Sequence, residues 1–253
     1  MGKIITLMTQ KGGVGKTTTT NCLAACYNRK GYKVLVVDMD PQGNLSFSLG
    51  INTEVCATIY DVLKGDLKPR FAIQRTQIAD IIPSNILLSG LELEFTGDER
   101  EFALKRAIDE ISHMYDYIFV DSPPGLGILT VNSLTAADYV IIPMLPDIFS
   151  LQGVSLVHET IEHVKKACNP NLEVAGILVN CFNPRLRLAK EVYGTAEMIA
   201  QQFNISVFRT YIRHSIAISE AQSLQLDVTE YAKKATGMAD FFRLVRELSQ
   251  KGI

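Results

Sequence analysis

The sequence predicts a doubly wound α/β fold, a mostly parallel sheet with helices on both faces. Three observations carry that prediction. Short apolar runs alternate along the 253 residues with longer segments punctuated like helices. The runs are continuous and β-branched rather than alternating, as expected of strands buried on both faces. Most of them stop at Asp, Asn or Pro, at the strand ends where open α/β sheets place their ligands.

In chain order, residues 4–8 read as a first strand and 17–30 as a helix closed by Gly31. Strands follow at 34–37 and 80–82, then a helix at 99–114 and a strand at 117–120. A strand at 139–142 leads to a helix at 151–168, which Asn169-Pro170 closes. The remaining elements are a strand at 174–179, a helix at 188–203, a strand at 205–208 and a helix at 228–251. No repeat or Pro/Ser-rich linker interrupts the series, so residues 1–253 are expected to form one domain, long enough to bury a sizeable core.

Composition narrows the class. With 47% hydrophobic and 21% charged residues, the chain reads as soluble and globular. Its net charge of −2 excludes a bulk-basic nucleic-acid binder. No stretch reaches the roughly 18 apolar residues of a membrane span, and the first apolar run is too short for a secretory signal. Cys22, Cys26, Cys56, Cys168 and Cys181 are odd in number and form no CxxC pair. That argues against a disulfide framework or a metal–sulfur site and fits a reducing cytoplasm.

The sharpest local feature is Gln10-Lys11-Gly12-Gly13-Val14-Gly15-Lys16-Thr17-Thr18, between the first strand and the first helix. Glycines let successive amides turn inward around phosphate oxygens, and the helix N-terminus adds positive charge. Lys16 supplies a cation, and Thr17 offers a hydroxyl to Mg²⁺. A simple glycine turn does not explain the Gly15-Lys16-Thr17 triplet in that context. The usual loop places a glycine where this chain has Gln10, and a second lysine, Lys11, precedes the paired glycines. Lys11 reads either as a surface cation or as a group reaching phosphates held by a second copy.

Two carboxylate segments accompany the loop. The second strand runs into Asp38-Met39-Asp40-Pro41-Gln42-Gly43. Residues two apart share a strand face, so both carboxylates are expected towards the phosphates. Asp38 is a candidate for the Mg²⁺ shell or for fixing the loop, and Asp40 for orienting an attacking water. The run at 117–120 delivers Asp121, a Walker B-type metal carboxylate, followed by Ser122-Pro123-Pro124-Gly125-Leu126-Gly127. Those prolines and glycines suit a switch loop.

The segments KGGVGKTT, VVDMDPQGN and YIFVDSPPGLG, with TIYDVLKGD, IIPSN and ISEAQS, resemble the ParA/Soj partition ATPases. These belong to the deviant Walker A group of P-loop NTPases that also holds MinD. The resemblance covers essentially the whole chain. It implies an Mg²⁺-dependent ATP hydrolase with slow intrinsic turnover and an ATP-bound sandwich homodimer, in which Lys11 crosses to the partner's nucleotide. By position, residues 11–18 bind nucleotide, with Lys11, Lys16 and Asp40 catalytic and Thr17, Asp38 and Asp121 serving the metal. Asn180 matches the position associated with the adenine base. Nonspecific binding of double-stranded DNA is also implied, as is a ParB-like partner whose basic N-terminal segment stimulates hydrolysis. The expected location is cytoplasmic and nucleoid-associated, without an N-terminal helix-turn-helix extension.

The charge is unevenly spread: residues 180–253 carry +3 and the preceding residues −5. Arg185, Arg187 and Arg213 are therefore candidate DNA contacts, salt-dependent and sequence-blind. His214 and Ala217 stand where many relatives have arginine. Against a MinD-like membrane ATPase, the apolar stripe at 241, 244, 245 and 248 reads as a last core helix, so stable membrane association is not expected. Two further alternatives are a relative that positions a protein cargo and a nucleotide-binding switch without turnover.

Overall fold

Seven strands form one sheet in the computed structural model, which describes residues 2–94 and 99–253. They are β1 (Lys3–Leu7), β2 (Val34–Asp38), β3 (Gln74–Arg75), β4 (Asp80–Ile82), β5 (Tyr117–Asp121), β6 (Tyr139–Met144) and β7 (Glu173–Val179). Their order is β3-β4-β2-β5-β1-β6-β7, and every pairing is parallel except that of β3 with β4.

Period-two alternation divides each central strand between two cores. Leu35 and Val37, Ile118 and Val120, and Val140 and Ile142 enter one core. Val34 and Val36, Tyr117 and Phe119, and Ile141 enter the other. Both faces are therefore dry, which is why the sequence shows continuous apolar runs. In parallel register, Leu7 pairs with Asp121 and Asp121 with Asp38, so three strand ends arrive side by side.

Several expectations are corrected. Residues 205–208 do not form a strand: they touch β7 through one bridge, Ile177 with Val207. The neighbouring carbonyl of Ala175 is taken by the Lys251 ammonium at 2.8 Å instead of a ladder amide. The expected helix at 228–251 is two helices, Val228–Tyr231 and Thr236–Gln250, separated at Ala235, whose backbone is extended. In the expected helix at 99–114, only Ala103–Ile111 is α-helical, flanked by 3₁₀ turns.

Among the described helices of eight residues or more, two are not anticipated by the sequence. Ile128–Ala136 is buried on almost every side and so lacks an amphipathic stripe. Ile216–Ser223 is eight residues long and buries Ile218 and Ala221. The stripe of Phe241, Leu244, Val245 and Leu248 is buried in the second core. No helix among the described residues is long and apolar enough to cross a membrane.

Candidate functional site

β1 ends into the glycine loop, and the helix α1 (Lys16–Arg29) starts directly after it. Gly13 and Gly15 hold φ of 74° and 88°, a left-handed backbone that a Cβ disfavours. A Cβ on Gly12 or Gly13 would meet nothing within 4 Å, so the loop faces open space. The same loop borders a cavity of about 580 Å³ with Lys16, Thr17 and Thr18. Asp40, Gln42, Asn44, Phe47 and Ser48 also line it, as do Pro124, Ser219, Gln222 and Ser223. Thr18 donates its hydroxyl to Gln222 Oε1 at 3.1 Å, tying α1 to Ile216–Ser223. Sequence reasoning had not placed Ser219 and Gln222 in the site. Their signal was the ISEAQS run, visible only as matching text.

Asp38 and Asp40 do not open together into this cavity. β2 ends at Asp38, so the two-residue strand repeat stops before Asp40. Asp38 is fully buried and spends its oxygens on three donors: the Asp40 amide at 3.1 Å, the Ser46 amide at 2.9 Å and the Ser46 hydroxyl at 2.7 Å. That geometry is a loop anchor. Asp40 lines the cavity, and its Oδ1 accepts the Gln42 amide at 3.0 Å.

Asp121 is also fully buried, and its Oδ2 has no hydrogen-bond partner. Burial, reinforced by the neighbouring Asp38, pushes its pKa up to about 8, against the pull of the Thr17 hydroxyl and the Lys16 ammonium. Burial likewise lifts Asp38 to about 6, opposed by the Ser46 hydrogen bonds. Lys16 is shifted down by burial, while Asp121 and Asp40 pull its proton affinity back up. A buried carboxylate oxygen without a partner, beside Thr17 and a second carboxylate, is a donor set suited to a hard divalent cation.

Lys11 lies apart from these groups. Its ammonium sits 2.9 and 3.1 Å from the two oxygens of Asp147, the residue that caps the helix Ile148–Ala167. Burial raises the Asp147 carboxyl, but hydrogen bonds from Lys11 and Ser150 outweigh it and hold the group low. Asn180, at the end of β7, is buried and donates to the Val14 carbonyl at 2.8 Å and the Thr19 hydroxyl at 3.2 Å. Its Oδ1 has no partner.

The candidate DNA residues do not form one set. Arg185 and Arg187 are exposed, and Arg187 pairs with Glu191 at 2.8 Å on its own helix. Arg213 instead grips the buried Asp240, with Nε and Nη2 at 2.8 and 2.7 Å from its oxygens.

Comparison with known proteins agrees with this geometry. The AAA domain family model matches residues 2–174. The sporulation initiation inhibitor protein Soj of Bacillus subtilis strain 168 is 38% identical over 256 residues, covering all of both chains. A putative plasmid partition protein of Borrelia burgdorferi B31, solved bound to AMPPNP, matches over the full length of both chains at 26% identity and a TM-score of 0.79. Cobyrinic acid a,c-diamide synthase of Mycobacterium smegmatis, solved with an ATP analogue and magnesium, is 33% identical, covering 92% of this chain and 93% of that one, with a TM-score of 0.81. One fold thus carries differently named activities, and fold alone does not choose between them. The full-length match to Soj, with the 37% identity to the chromosome-partitioning ATPase Soj of Treponema pallidum over 98% of this chain and 97% of that one, does: the chain belongs to the ParA/Soj family of partition ATPases.

Proposed function

We propose that this chain hydrolyses Mg²⁺-ATP as a DNA-partition ATPase, with ATP binding closing a homodimer and hydrolysis reopening it. One observation carries the reading: the glycine loop, Asp40 and Pro124 border a single cavity of about 580 Å³. The loop amides and Lys16 bind the phosphates, aided by the N-terminus of α1. Thr17 and Asp121 hold the cation, and Asp38 acts by fixing the turn that carries Asp40. Bound Mg²⁺ would supply charge neutralisation at the β- and γ-phosphate oxygens. Asp40 orients the attacking water, which its place on the cavity wall supports.

Lys11 leaves Asp147 and reaches the partner's nucleotide in the dimer. The two ion-paired side chains are about one-third exposed, and exchanging so wet a pair costs about 1 kcal/mol or less. The dimer binds double-stranded DNA without sequence preference and docks on the nucleoid, and a ParB-like partner with a basic N-terminal segment accelerates turnover. Asn180 serves the base, a role its partnerless Oδ1 supports.

Phosphate release with Mg²⁺-ATP, DNA and a partner peptide tests the enzyme. Wild type should turn over slowly and respond to the peptide. Asp40→Ala should lose at least about 100-fold of that rate while still binding ATP. Turnover equal to wild type in Asp40→Ala removes the water-positioning role, and no turnover by wild type under any condition leaves a nucleotide switch.

A further inference from the structure

Another cavity, of about 180 Å³, shares Gly13, Gly15 and Thr18 with the first. Gly15, Thr18 and Asn180 line it together with Ile212, His214 and Phe241. Asn180, whose buried Oδ1 is an acceptor without a partner, lines it together with the apolar Ile212, Ile218 and Phe241 and the polar Thr18 and His214. That combination suits a flat heterocycle bearing an amino group, attached to phosphates in the neighbouring cavity.

What holds the wall at 212–215 is the helix Thr236–Gln250. Asp240, with no exposed surface, accepts the Arg213 main-chain amide at 3.0 Å as well as its Nε and Nη2. One carboxylate thus fixes both the backbone and the side chain of a wall residue. Arg243 pairs with the same carboxylate from solvent, so the buried charge is compensated twice. Two more residues of that helix meet this wall: a Cβ on Gly237 would lie 2.9 Å from Ser215 Cβ and 3.0 Å from the Arg213 carbonyl, and Phe241 lines the cavity itself. Only a glycine lets the helix come that close.

We propose that Asp240, together with the glycine contact at 237, is a positioning element for the nucleotide base: it sets the 212–215 wall against which the base packs. The proposal rests on the nucleotide reading above and names what holds its base-side half. Asp240 touches no ligand and acts through residue 213.

The test separates base from phosphates. Dissociation constants for ATP and for inorganic tripolyphosphate, both with Mg²⁺, are measured by competition against a fluorescent nucleotide, with circular dichroism to establish folding. Asp240→Asn should weaken ATP about tenfold, the cost of one misplaced buried contact, and leave tripolyphosphate unchanged. Gly237→Ala should do the same by pushing the wall while every charge stays in place. Arg243→Gln, which removes a solvent-side cation from the same carboxylate, should leave the ratio of the two constants at its wild-type value. Equal losses for both ligands, or no change in the ratio in a folded Asp240→Asn or Gly237→Ala protein, overturn the proposal as a merely structural contact. Should Asp240→Asn not fold, Gly237→Ala decides. A wild type that binds neither ligand overturns the nucleotide reading and this one with it, whereas a wild type that binds ATP beside unshifted variants overturns this one alone.

Discussion

Asp38 and Asp121 stand opposite each other as register partners on neighbouring parallel strands, each without exposed surface. Two carboxylates so placed resist losing both protons, since burial and mutual repulsion penalise the doubly charged state. Asp121 of this pair also lies close enough to the phosphate-loop Lys16 for each to shift the other's proton affinity.

Stability without Mg²⁺ should therefore fall as pH rises. Both carboxyls are shifted up, to about 6 and about 8, so the folded state binds these protons more tightly than the unfolded chain does. The stabilisation is complete below the unfolded value of about 4 and is lost as pH rises through the folded values. Melting curves between pH 5 and pH 8.5, at about 0.5-unit steps, should slope downward in wild type and flatten in Asp121→Asn. Added Mg²⁺-ATP should raise the wild-type melting temperature most at the alkaline end. An identical slope in Asp121→Asn would show that the pair is not its source.

Lys11→Ala should stay folded and bind ATP. The Lys11–Asp147 pair is too exposed to stabilise the fold by more than about 1 kcal/mol. What the variant should lose is the ATP-dependent dimer, read by light scattering. A normal dimer refutes the cross-interface role.

Ser46 links two strand ends that the sequence does not connect. Its hydroxyl donates to Asp38 and accepts the Ser84 amide at 2.9 Å, just past β4. Ser46→Ala strips one donor from a buried carboxylate and leaves a buried amide unpaired, so unfolding free energy should drop by about 1–3 kcal/mol in denaturant titrations. Turnover should also fall, because the Asp40 turn loses its anchor. A variant as stable as wild type would mean that water replaces the hydroxyl.

The three candidate DNA arginines should separate experimentally. Arg185→Gln with Arg187→Gln should reduce ATP-dependent DNA retention at low salt and leave the melting temperature near wild type, because both side chains are exposed. Arg213→Gln should instead destabilise the fold by about 1–3 kcal/mol, since Asp240 keeps only Arg243 as a cation. DNA retention unchanged in the Arg185/Arg187 double variant removes those two residues from the interface.

The parts of the site legible in the sequence were those encoded by local chemistry. Residues 12–18 carry their own conformation, because glycines at the left-handed positions and a helix start immediately after them leave few alternatives. Asp121 was legible as the polar end of a continuous apolar strand. Residues whose role depends on a distant partner were not. Ser46 looks like any serine in a short helix until Asp38 and the Ser84 amide meet it. Helix Ile128–Ala136 escaped notice because burial on nearly all sides erases the amphipathic repeat that sequence patterns rely on.

By itself, the sequence determined the α/β class, the phosphate loop and the identity of the carboxylates, all of which follow from residue type and spacing along one stretch of chain. Tertiary structure decided how those groups divide their work. Ending β2 at Asp38 turned one carboxylate inward as an anchor and left Asp40 on the cavity wall. Packing the last helix against residues 212–215 tied the half-buried Arg213 side chain to Asp240. An arginine in a basic stretch reads as a surface charge. A buried aspartate 27 residues later makes it part of a wall.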